Sequence, residues 1–99
     1  MKIAVEEDRI TVRGWRGGTV HLADIAEVSS EKIDKVTYDA VFLILRGHSG
    51  AAVTLGELDK GFAEAELALR TGLAGFPSDW RASAEQAAVG VRAQVWPQP

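Results

Sequence analysis

The stretch Ala40-Val41-Phe42-Leu43-Ile44-Leu45-Arg46 decides the fold class. Its apolar run is rich in β-branched and aromatic residues and far shorter than the roughly 20 residues a membrane span needs, so it reads as a strand. Val41, Leu43 and Leu45 fall on one face, Phe42 and Ile44 on the other. A strand apolar on both faces is expected to be covered on both. Arg46-Gly47-His48-Ser49-Gly50 follows as a loop of hairpin length, and Ala51 to Leu55 returns as the partner strand.

Upstream, Lys2 to Glu6 and Arg9 to Arg13 alternate apolar and polar residues: Ile3 and Val5, then Ile10 and Val12. That period of two predicts a hairpin joined by Glu6-Glu7-Asp8. Gly14-Trp15-Arg16-Gly17-Gly18 is a glycine loop, after which Thr19 to Leu22 resumes a strand. Ala23-Asp24-Ile25 predicts a tight turn or a single helical turn. From Ala26 to Val36 the polar run Ser29-Ser30-Glu31-Lys32 interrupts the apolar residues Val28, Ile33 and Val36, and the reading is a partly exposed strand running out to Tyr38.

Downstream, Phe62, Ala65, Leu69, Leu73 and Phe76 recur at helical spacing, predicting a helix from Lys60 to Leu73 with Asp59 as its N-cap. Glu66 lies four residues before Arg70, a supporting pair. Gly72, Gly75 and Pro77 end this helix. Ser78 reads as the N-cap of a second helix from Asp79 to about Val89, with Trp80, Ala84, Ala87 and Val91 repeating at helical spacing. Arg92 to Trp96 closes the chain as a short strand. The expected architecture is α+β: a bent antiparallel sheet packed with one long and one short C-terminal helix, in a single domain spanning residues 1–99.

The composition fits one core. The 99 residues are 46% hydrophobic and contain no cysteine, which removes disulfide frameworks, thiolate metal sites and cysteine nucleophiles. A net charge of −3 disfavours a phosphate-backbone partner, so no nucleic acid is expected. The early acidic residues Glu6, Glu7 and Asp8 leave no room for an apolar signal region before them, and a cytoplasmic location is expected by default.

Thr19-Val20-His21-Leu22-Ala23-Asp24-Ile25-Ala26-Glu27-Val28 resembles the strand, turn and Asp-Ile step of small bacterial pleckstrin-homology-like domains. Val41-Phe42-Leu43-Ile44-Leu45-Arg46, then Glu57, Gly61-Phe62, Gly75-Phe76 and Trp80, resemble a set of short uncharacterised bacterial proteins. The resemblance covers about residues 19 to 80, on turn glycines, core aromatics and a capping acid. It implies a strongly bent sheet closed by a C-terminal helix, serving as a binding platform. Phosphoinositide-binding members of the wider superfamily carry a basic cluster between their first strands, where this chain has Glu6, Glu7 and Asp8 beside Arg9.

Little in the sequence points to catalysis. His21 and His48 stand apart from the neighbours that a metal site or a triad needs. Gly47-His48-Ser49-Gly50 is explained by the hairpin rather than by a nucleophile elbow. The candidate binding residues are Arg13, Trp15 and Arg16, two cationic forks flanking an aromatic in a glycine loop. The expected function is a non-catalytic regulatory or immunity-type domain that binds another protein, without cofactor or metal; the alternative is a small-molecule or lipid-binding domain. The two-sided apolar strand is expected to be covered by curling of the sheet in a monomer, or else by a second subunit in a homodimer.

Overall fold

A computed structural model describes residues 2–14, 17–35 and 38–98 of the chain. Strands β1 (Lys2–Glu6), β2 (Arg9–Arg13) and β3 (Gly18–His21) form one antiparallel sheet in the order β1-β2-β3. Its register sets Ile3 opposite Val12, Val5 opposite Ile10 and Ile10 opposite Val20, so the alternation read from the sequence becomes one apolar face. A single 3₁₀ turn, Leu22–Asp24, carries the chain into a second sheet.

The second sheet has four antiparallel strands, β4 (Ile25–Lys35), β5 (Tyr38–Gly47), β6 (Ala52–Gly56) and β7 (Arg92–Trp96), in the order β6-β5-β4-β7. The expected single bent sheet is thus two sheets, because no ladder of hydrogen bonds joins β3 to its neighbours in the second. The expected continuation of β4 through Val36 lies outside the described residues. The last strand does not simply follow the helices; it returns to pair with β4, with a bulge between Val28 and Ser29.

Helices α1 (Phe62–Gly72) and α2 (Trp80–Gln86) close the core. Phe62, Ala65, Leu69 and Leu73 of the α1 stripe are buried against Ile3, Ile10 and Val20 of the first sheet and Val28, Leu43, Leu45 and Leu55 of the second. Burying each large apolar side chain contributes about 1.5–3 kcal/mol before conformational entropy is charged. Packing therefore holds these short helices more than propensity does.

Both expected helix caps are corrected. Asp59 lies outside the cap, which is Gly61 at φ 94°, and the Asp59 carboxylate instead accepts the Gly56 N–H at 3.1 Å, closing the turn after β6. Glycine is required at residue 61: the Ile3 N–H donates to the Lys60 carbonyl at 2.8 Å, and a Cβ at 61 would collide with the Ile3 carbonyl. At α2 the cap is Asp79 rather than Ser78, and its side chain makes no capping hydrogen bond. The helix ends at Gln86, short of Val89, because Ala87 turns extended and the Gly90 N–H donates to the Lys32 carbonyl, which steers the chain into β7.

Candidate functional site

Three places on this scaffold carry chemistry or exposed apolar surface. The first is the outer face of the second sheet. Val41, Leu43 and Leu45 point into the core, as expected, and are essentially inaccessible. Phe42 and Ile44 alternate to the other side, where cross-strand pairing sets them beside Glu31 and Ser29 of β4 and Gly56 and Thr54 of β6. Ile33, Phe42 and Ile44 are only half-buried and belong to no part of the core cluster. Of the two expected coverings, curling of the sheet does not bring Ile33 or Ile44 into the core among the described residues, where the buried positions of both sheets and the helices gather on the inner face. A shallow depression of about 270 Å³ remains, bordered by Ile33, Ile44, Thr54 and the Glu31–Arg92 ion pair at 3.5 Å.

The second place is the turn at Asp24. Its carboxylate accepts the Ser49 hydroxyl at 2.7 Å and the Ser49 N–H at 3.4 Å, while its carbonyl accepts the His48 N–H at 2.8 Å. A Cβ at Gly47 would meet the same carboxylate, so glycine there leaves room for the lock. The Ser49 hydroxyl holds the Asp24 carboxyl below its ordinary value of 3.8, against desolvation as the next-largest effect and with smaller help from the Ser49 backbone N–H, His48 and His21. Ser, His and Asp side chains thus come together from distant sequence positions. They do not form a triad: the serine proton goes directly to the carboxylate, with no imidazole between them, and a weakly basic carboxylate is a poor general base at neutral pH. The arrangement ties the β5–β6 hairpin to the turn before β4.

The third is a cleft of about 290 Å³ between α2 and β7, whose buried floor includes Ser30. In the sequence Ser30 belongs to the polar run of a strand expected to be partly exposed. The usable signal was its spacing of two from Val28, which puts it on the inner face.

Of the residues expected to bind, Arg13 ends β2, is exposed, and faces Glu6 across the first hairpin at 3.7 Å. Trp15 and Arg16 lie outside the described residues. Among the described residues, no group of three or more His, Asp or Glu side chains is placed to hold a metal ion, and no helix is long and apolar enough to cross a membrane. Comparison with known proteins finds no matching family model, no matching curated protein and no matching solved structure.

Proposed function

We propose that this chain is a non-catalytic domain that binds another protein through the outer face of its second sheet. The observation that carries the reading is the placement of Ile33 and Ile44, half-buried, on a face outside the core cluster of the described residues. Solvent-facing positions of a one-sided antiparallel sheet are ordinarily polar. Here the centre is apolar while Glu31 and Arg92 supply both signs of charge at the border, the layout of an apolar interface core with a polar rim. The depression suits one anchoring side chain of a partner. The resemblance of residues 19 to 80 to pleckstrin-homology-like platforms supports the same reading. Arg13, Trp15 and Arg16 are proposed as a second contact, on the chemistry of those side chains.

The experiment is site-directed photo-crosslinking from Thr54, an exposed neighbour of Ile44, in cells that express the chain. The expected result is a discrete cross-linked protein that disappears in Ile44→Asp while the thermal midpoint is kept. A product unaffected by Ile44→Asp removes this face from the reading. A cross-linked product made of two copies of the chain identifies the partner as a second subunit.

A further inference from the structure

The cleft beside α2 carries an inference independent of the sheet face. Ser30 is only 3% exposed, and its hydroxyl makes no hydrogen bond to any described residue. Among the described residues no fully enclosed side-chain oxygen lacks a partner, so the Ser30 hydroxyl retains access, and the cleft it lines is where that access lies. A hydroxyl with that access takes its hydrogen bond from whatever occupies the cleft, water or ligand.

The rest of the lining narrows what that is. Trp80, Ala84 and Val95 form apolar walls, while Ser83 and Asp79 stand with Ser30 as the hydroxyl and carboxylate groups. Among the described residues, no lysine or arginine borders the cleft. The Asp79 side chain is not spent on capping α2, and the Gln94 amide N–H already donates to the Pro97 carbonyl at 2.6 Å. The Ser30 and Ser83 hydroxyls and the Gln98 amide each donate as well as accept, and the formal charge among the described lining residues is the Asp79 carboxylate. A cation that carries N–H donors matches it, and an anion does not. At about 290 Å³ the volume lies at the small end of the range for ligand sites.

We propose that this cleft binds a small organic ammonium ion, its nitrogen donating to Ser30 and Asp79 and its short apolar body resting against Trp80, Ala84 and Val95. Binding gives the Ser30 hydroxyl a partner that no described residue supplies.

The test is an amide chemical-shift titration of the full chain with benzylamine, benzyl alcohol and benzoate, three probes of similar shape and different charge. Benzylamine is expected to give saturable shifts confined to Ser30, residues 79–84 and residues 93–95, with benzyl alcohol at least about tenfold weaker and benzoate without effect. Asp79→Asn, an exposed site that leaves the fold intact, is expected to weaken benzylamine about tenfold, and Ser30→Ala severalfold. Equal shifts from benzylamine and benzoate overturn the proposal, because they report apolar occupancy without recognition of the cation. An absence of saturable shifts at these amides with all three probes overturns it as well, as does unchanged benzylamine affinity in Asp79→Asn. Should Ser30→Ala lose the dispersed amide spectrum of the folded chain, the Asp79→Asn comparison decides alone.

Discussion

The Arg81 guanidinium donates to the Glu57 carboxylate at 2.7 Å, across 24 positions of sequence. Glu57 uses its other oxygen to accept the Val41 N–H at 3.0 Å, so the ion pair is anchored to β5. The guanidinium also lies 5.6 Å from the Phe62 ring centroid and 5.3 Å from that of Trp80, and 4.0 Å from Glu66. Glu66 in turn accepts the Trp80 indole N–H at 2.8 Å and Arg70 at 3.2 Å. One arginine thereby joins both helices to the turn after β6.

Arg81→Ala is expected to destabilise the fold by about 1–2 kcal/mol, the usual range for a hydrogen-bonded pair discounted because the arginine is partly exposed. Arg81→Lys should recover less than half, since an ammonium lacks the planar fork that stacks on Phe62 and Trp80. Urea unfolding of the three proteins checks this, and equal stability of wild type and Arg81→Ala would sink the joint role.

The lock at Asp24 makes stability depend on acid. The folded-state value of its carboxyl is depressed, so its contribution is fully present above the unfolded value near 3.8 and is lost as pH falls through the lower folded value. Asp24→Asn should lower the thermal midpoint at pH 7, and the gap to wild type should narrow as the pH drops below about 4. Ser49→Ala, which removes the first cause of the depression, should show the same pattern in weaker form. A gap that stays constant with pH contradicts the assignment.

Gly61 sits at φ 94° against the backbone of Ile3. Gly61→Ala is expected to cost about 1–3 kcal/mol from the backbone conformation alone, with a further loss as α1 is pushed from β1. Loss of protection of the Ile3 amide from hydrogen exchange would locate the damage at this crossing.

Adjacent residues of β5 should respond in opposite ways. Leu43→Ala removes a fully buried side chain and is expected to cost about 2–5 kcal/mol. Ile44→Ala, on the outer face, should cost under about 1 kcal/mol. A large loss from Ile44→Ala in the isolated chain would show that this face is already covered, which removes it as a free binding surface.

Much of the scaffold is legible along the chain because it rests on local periodicity. The alternation of Ile3, Val5, Ile10 and Val12 appears as the β1–β2 register, and the Phe62, Ala65, Leu69 and Leu73 stripe appears as the buried side of α1. Cap assignment was weaker. Asp59 has the right side chain for an N-cap, but the Gly56 N–H claims it, and the closeness of Ile3 to Lys60 sets the helix start two residues later. For binding, the sequence offers side-chain chemistry at Arg13, Trp15 and Arg16, while the position of Ile33 and Ile44 outside the core depends on what packs where.

The sequence by itself determined which segments are strands and helices and which of their faces are apolar, since spacing along the backbone dictates where neighbouring side chains point. Only the tertiary structure decided that the strands divide into two sheets, that β7 returns to β4, and that Glu57 meets Arg81 while Asp24 meets Ser49. It also decided that Ile44 lies outside the core cluster of the described residues and that Ser30 ends at the floor of a cleft. These pairings join residues distant along the chain. They follow from how the layers stack around one core, and no local pattern of residues encodes that stacking.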